Sequence, residues 1–373
     1  LQGALLIAAL KRRAAALGLE LEIAGLGGWR MAQAGATILG DTAGIGSVGI
    51  FESVPYIVPT IAIQRQAKEY LKKSPPDAVV LIDYLTPNLG IGSYIRRCLP
   101  ELPVLWYIAP QEWVWSLSPR NTSLIVNICD KLLAIFPEEA RYFREKGAQV
   151  SWVGHPLVDR MQDAPSREVA RKNLGIGLEQ VSIALIPASR NQEIKYLMPA
   201  IFEAAKIIQN RIPDVHFWIP LAREAYRDAI ERAIENCGLR ATLSADRTLD
   251  ILAAADLAIT KSGTVNLELA LLDVPQVVAY RVSPITAWIA RHLLKFSIPF
   301  MSPPNLVEMK PIVPELLQNE ATAENIVDRA LALLQNGHLR QQTLAGYREM
   351  RSSLGEVGAC DRAAAEIIKI VES

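Results

Sequence analysis

Two stretches join the end of an apolar strand to a tight turn and a helix start, the arrangement by which open α/β sheets hold anions. In the first, Lys261-Ser262-Gly263-Thr264 lies between an apolar strand (Leu257, Ala258, Ile259) and a helix through Val265, Leu267, Leu269 and Leu272. Ser262 or Thr264 can cap that helix, Gly263 lets a backbone come close, and the first-turn N–H groups attract phosphate. Glu268 lies one turn further, on the face that presents Thr264, where an acid can hold the two hydroxyls of a ribose. A plainer reading makes Ser-Gly-Thr only a cap and Glu268 a solvated helix residue; spacing alone leaves both open. In the second stretch, Pro187-Ala188-Ser189-Arg190 follows the strand ending at Ile186, and Glu193 starts a helix. An arginine at a helix start is electrostatically misplaced unless it meets an anion such as a diphosphate.

Asp83 directly follows the strand ending at Ile82, with Tyr84, Thr86 and Asn88 close by. A carboxylate there can serve as general base toward a hydroxyl, or merely cap the next turn. The segment Trp106 to Trp115 is rich in aromatic residues for a loop, and Trp113 and Trp115 either line a sugar or lipid pocket or simply pack. Asn305, after Ser302-Pro303-Pro304, can fix a polar group of a ligand.

These residues need elements to place them. A helix is expected over Leu1 to Leu17, a strand over Leu19 to Leu26, a glycine-rich loop at Gly44 to Gly49, and an amphipathic stretch from Val58 to Leu71. Near-continuous apolar runs at Ala78 to Ile82, Val104 to Ile108, Lys131 to Phe136 and Val150 to Val153 mark parallel strands buried on both faces. Pro137-Glu138-Glu139 opens a helix with proline in its first turn and acids at its positive end. Gly154-His155-Pro156 marks a boundary, after which strand and helix alternate again through Val181 to Ile186, Val215 to Ile219 and Gln276 to Tyr280. The pattern predicts an α/β protein of two Rossmann-like, doubly wound parallel-sheet domains facing a cleft: residues 1–154, residues 155–320, and a helical tail over residues 321–373.

Composition excludes several classes. Thirty-nine basic residues balance 39 acidic ones in a chain of 373, so charge gives no reason to expect a nucleic-acid partner. Four scattered cysteines and four histidines, none at ligand spacing, suit a reducing compartment and argue against a bound metal. No apolar run approaches the ~20 residues that span a bilayer. Ala287 to Met301 sets Trp288, Leu293, Leu294, Phe296 and Phe300 beside Arg291, His292 and Lys295, which suits a helix on a membrane surface, or a core or dimer helix with snorkelling cations.

Taken in order, the motifs carry a resemblance. Ile82-Asp83, Tyr107-x-x-Pro110 with Trp113 and Trp115, Gly154-His155-Pro156, Pro187 to Arg190 with Glu193, Ser262-Gly263-Thr264 with Glu268, and Ser302 to Asn305 followed by Val313-Pro314-Glu315-Leu316-Leu317 resemble those of the lipid-A-disaccharide synthases. These are inverting glycosyltransferases of the GT-B type. The resemblance spans essentially the whole chain. It implies transfer of 2,3-diacylglucosamine from its UDP derivative to 2,3-diacylglucosamine 1-phosphate, giving a β-1,6 disaccharide and UDP without a cofactor or metal. It further implies Asp83 as base, Arg190 with Ser262, Gly263 and Thr264 on the diphosphate, Glu268 on the ribose, and Asn305 near the donor. A place on the cytoplasmic face of the inner membrane and a homodimer exchanging C-terminal elements are implied too, the alternative being that the helices of residues 321–373 cross back onto the N-terminal domain of their own chain.

Three departures stand out. The family's opening strand and Gly-Glu-x-Ser-Gly-Asp loop have no counterpart ahead of Leu1, which implies a fragment or an incomplete site. Ala188 stands where the family has glycine, and Val307-Glu308-Met309-Lys310 replaces an Ala-Gly-Arg run, which bears on the fit of acceptor or acyl chains. The competing expectations are another UDP-sugar enzyme of the same architecture, an N-acetylglucosaminyltransferase or an epimerase, and a catalytically silent binding protein.

Overall fold

The computed structural model describes residues 2–42, 57–114, 118–177, 179–283 and 299–372. The glycine loop at Gly44 to Gly49, Trp115, and most of the Trp288 stretch lie outside these residues. The chain forms two compact units, Leu1–Asp159 with Leu354–Ser373, and Arg160–Ser353. They part between Asp159 and Arg160, where the sequence placed the break at 154/155. The reason lies in those two side chains. Asp159 accepts N–H bonds from Gly358 (2.6 Å), Ala359 (3.1 Å) and Cys360 (2.8 Å), opening the last helix, whereas Arg160 pairs with Glu268. The tail is divided accordingly: Ala323–Gln335 belongs to the second unit and Ala359–Val371 to the first.

In the first unit, β1 (Ala24–Gly27) and β2 (Thr37–Asp41) form a small parallel pair. The expected strand over Leu19 to Leu26 is thus shorter and later. A second sheet runs β3 (Val79–Ile82), β4 (Val104–Tyr107), β5 (Lys131–Ala134) and β6 (Val150–Trp152), all parallel and in chain order. Side chains alternate across it with period two. Leu105, Tyr107 and Leu133 pack with Leu6 and Leu10 of helix Gln2–Leu17 and with Ala364 and Ile367 of Ala359–Val371. Val104, Trp106 and Leu132 pack on the other face with Ile95, Ile125 and Phe143. Both faces are covered by helices, which is why these strands are apolar throughout.

The second unit has one six-stranded parallel sheet: β7 (Ser182–Ile186), β8 (His216–Pro220), β9 (Ala241–Ser244), β10 (Leu257–Lys261), β11 (Gln276–Tyr280) and β12 (Glu315–Leu317). Their spatial order is β12-β11-β10-β7-β8-β9. The chain builds outward from β7 in one direction, returns, and builds outward from β10 in the other. Ligands of such sheets bind where the order reverses, at the carboxyl ends of the two central strands. Here those are β7 and β10, with Thr260 paired to Ile186. Ile183, Leu185, Leu257 and Ile259 bury one face against Phe202, Ile208 and Ile326, while Ala184, Ile186 and Ala258 bury the other against Ile251, Leu252 and Leu269.

Candidate active site

Within the second unit, the reversal between β7 and β10 brings together the two turns singled out in the sequence. Arg190 is the N-cap of helix Asn191–Tyr196 in extended backbone, with its side chain exposed. Glu193 holds the turn beneath it: Oε2 accepts from the amides of Ser189 (2.6 Å) and Arg190 (3.0 Å) and from the Ser189 hydroxyl (3.2 Å). The Arg190 guanidinium stays 3.8 Å from Glu193 Oε1, a loose pairing that leaves its donors directed elsewhere.

On the β10 side, the expected cap is different. Neither Ser262 nor Thr264 caps helix Val265–Leu271 through its side chain. The Ser262 hydroxyl donates to Met301 O at 2.6 Å, and Thr264 is exposed. Asn266 Oδ1 takes the Gly263 amide instead, at 2.7 Å. Asn266 is fully buried and is locked to Gln276 by reciprocal bonds, Nδ2 to Gln276 Oε1 and Gln276 Nε2 to Asn266 O, both 2.9 Å. Tyr347 extends the network to Val274 O. Glu268 is not a solvated helix residue: it is buried and paired with Arg160. Burial raises its pKa, while Arg160 and Lys261 oppose the rise.

Lys261 ends β10 and is buried. Its Nζ occupies the place that a Cβ on Gly263 would take, and burial pulls its pKa below the ordinary lysine value. The sequence reading passed over it, although a lysine closing an apolar strand at a glycine turn was the available signal.

Asn305 has a different task from the one expected. Its Nδ2 donates to Val313 O (2.9 Å) and Glu315 Oε1 (2.8 Å), and its Oδ1 accepts from Ile312 (2.7 Å) and Val313 (2.8 Å) amides. Glu315 also accepts from the Met301 and Ser302 amides, each at 2.8 Å. The amide of Asn305 is filled by its own chain, so the motif from Ser302 to Glu315 is a clamp on the start of β12.

In the first unit, Asp83 follows β3 in left-handed backbone, φ 54°. Its amide is shared between Tyr107 O (3.3 Å) and Ile108 O (3.0 Å), and Asn88 Nδ2 donates to Ile82 O beside it. The residue keeps solvent exposure, yet the protein crowding its carboxyl raises the pKa above the ordinary aspartate value. Trp113 is half-buried, its ring 5.6 Å from Phe136, which in turn lies 5.2 Å from His155. Glu139 ties the ends of β4 and β5 by accepting the amides of Ala109 (2.8 Å), Ile135 (2.8 Å) and Phe136 (3.2 Å).

A family model for lipid-A-disaccharide synthetase matches residues 1–370. The lipid-A-disaccharide synthase of Gloeothece citriformis is 57% identical over 371 residues, covering 100% of this chain and 97% of that one. The enzyme of the same name from Synechocystis sp. is 51% identical, covering 99% and 94%. Among solved structures, the UDP complex of S. aureus MnaA superposes with a TM-score of 0.66 at 14% identity, covering 100% of this chain and 96% of that one. Acinetobacter baumannii MurG gives 0.59 at 14% identity, covering 98% and 96%. Those two establish the GT-B fold and no more. The family model and the near full-length relatives go further: the chain belongs to the lipid-A-disaccharide synthase family.

Proposed function

We propose that the chain transfers 2,3-diacylglucosamine from its UDP derivative to the 6-hydroxyl of 2,3-diacylglucosamine 1-phosphate. Family membership makes it a glycosyltransferase of lipid A biosynthesis; the donor, the acceptor and the residue roles are our reading. The observation that carries it is the meeting of Arg190 and the Ser262-Gly263-Thr264 turn where the order of a Rossmann-type sheet reverses. That place suits a diphosphate, since helix Val265–Leu271 turns its positive end towards it and Arg190 adds a cation. Glu268, oriented by Arg160, takes the ribose hydroxyls.

In the reaction, the acceptor oxygen attacks the anomeric carbon as the bond from that carbon to the β-phosphate oxygen breaks. The bonding pair leaves with UDP, and the acceptor's proton passes to the Asp83 carboxylate. Arg190 and the turn amides hold the charge that grows on the leaving diphosphate. Trp113, with Trp115, offers an apolar wall to sugar or acyl chains. Among the described residues no helix is long and apolar enough to cross a membrane. We place the chain at the cytoplasmic face of the inner membrane as a peripheral protein, acting as a homodimer.

The test is transfer from UDP-2,3-diacylglucosamine to 2,3-diacylglucosamine 1-phosphate by the parent and by Asp83→Ala. Disaccharide and UDP from the parent, with a loss of ~10²-fold or more in the variant, are expected. Equal rates would remove Asp83 from the mechanism, and no product from folded parent would remove the assignment.

A further inference from the structure

We infer that Lys261 is a further donor-binding residue, whose ammonium takes the diphosphate of the nucleotide sugar and neutralises the charge arriving there as UDP departs. The inference rests on the UDP-sugar reading above and extends it to a residue which the resemblance did not single out. Lys261 is the last residue of β10, paired with Ala279, one step beyond the Thr260–Ile186 pair that joins the two central strands. It therefore stands at the reversal point, beside the turn that carries Arg190. The residue is only 9% exposed, and its Nζ makes no hydrogen bond or ion pair with any described residue. An ammonium largely withdrawn from water and left unmatched is costly, so a counter-charge is called for.

The protein's own carboxylates are otherwise occupied. Glu193 spends Oε2 on the amides of Ser189 and Arg190 and the Ser189 hydroxyl, and its Oε1 faces Arg190. Glu268 is held by Arg160. Both act on Lys261 only at longer range. The ammonium lies over Gly263, in the volume a side chain there would fill. Glycine at this position thus leaves room for the cation as well as for the ligand's approach. Arg190 from the β7 side and Lys261 from the β10 side then bracket one anion site.

Isothermal titration of the full chain with UDP and with uridine, on the parent and Lys261→Met, tests this. Methionine matches the length of the stem, so burial is kept and only the charge is lost. The expected result is a fall of about 10- to 100-fold in UDP affinity with uridine affinity unchanged, because only UDP carries the diphosphate. Unchanged UDP affinity in the variant would overturn the inference while leaving the UDP-sugar reading intact. Equal losses for UDP and uridine would also overturn it, since they would mean that Lys261 merely supports the turn. A folded parent that binds neither would overturn the UDP-sugar reading, and this inference with it.

Discussion

Asp83 and Ile108 close two adjacent parallel strands, and both sit in left-handed backbone, at φ 54° and 61°. For residues with a Cβ that conformation costs ~1 kcal/mol each, and for a β-branched residue it is rarer still. The surrounding bonds hold it: the Asp83 amide reaches across to Tyr107 O and Ile108 O. The sequence shows an aspartate after a strand, but not that the backbone there is twisted out of the β region. A base must be ionised to act, and Asp83 has its pKa raised by the protein around it. The rate at limiting substrate should therefore climb with pH along an acid limb lying above the ordinary aspartate range. Asp83→Asn should lose both the rate and the limb; a limb retained in the variant would assign it to another group. His155 gives a stability counterpart. It is buried, its Nδ1 accepts the Leu157 amide at 3.1 Å, and burial lowers its pKa from 6.5 to about 4. Its neutral form is the folded form, so its contribution is complete above pH 6.5 and is lost as pH falls through about 4. That is worth up to ~3 kcal/mol. Glu139 acts in the opposite sense, since burial raises it to about 7 against three amide donors. The measurement is accordingly a difference: denaturant unfolding of parent and His155→Asn at pH 7.5 and 5. The gap between the two proteins should narrow at the lower pH, and a constant gap would rule the histidine out.

Elements were the most legible scale, though unevenly so. Runs such as Val79 to Ile82 and Leu257 to Ile259 declare buried parallel strands, because both of their faces must be apolar. The order β12-β11-β10-β7-β8-β9 is not visible in the chain, since parallel pairing is set by crossovers and not by neighbours in sequence. The turn at Gly263 was recognised, but its fastening was assigned to the wrong side chains. Ser and Thr are the common helix caps, so Asn266, three residues into the motif, read as an ordinary helix position. Its partners Gln276 and Tyr347 lie far along the chain and come together only on folding. Asn305 misled in the same way, as its four bonds all close on residues 312 to 315. Asn266→Leu tests the fastening directly. It leaves the Gly263 amide and the Gln276 Oε1 short of a partner in a buried site, while Gln276 Nε2 keeps the residue 266 carbonyl and Tyr347, and should cost about 2–4 kcal/mol in unfolding free energy. UDP binding should weaken as well, because the turn loses its template. A change below ~0.5 kcal/mol would mean that the network is incidental.

For the molecule as a whole, the proposed function asks how the chain reaches acylated substrates, since among the described residues no helix is long and apolar enough to cross a membrane. The sequence pointed to Ala287 to Met301, most of which lies outside the described residues. The first unit offers another surface. Helix Ile57–Lys73 presents Val58 and Ile61 to solvent, 75% and 60% exposed, three residues apart and so on one face. Arg65, Lys68, Lys72 and Lys73 follow along the same helix, and Trp29, also exposed, is stacked under Arg30 in the same unit. A single exposed apolar residue needs no explanation. Two in register at one end of a helix that carries four cations have the form of an interfacial anchor, the apolar pair entering the acyl boundary while the cations meet anionic headgroups. Vesicles containing anionic phospholipid should co-sediment the parent chain, and the bound fraction should fall several-fold for Val58→Glu with Ile61→Glu. Both positions are exposed, so the double variant should keep its fold and its transfer rate on detergent-dispersed substrates. The rate on vesicle-borne substrates should drop in step with binding. Unchanged co-sedimentation would remove this helix as the anchor, whereas lost activity in detergent would show that the face serves the reaction and not the membrane.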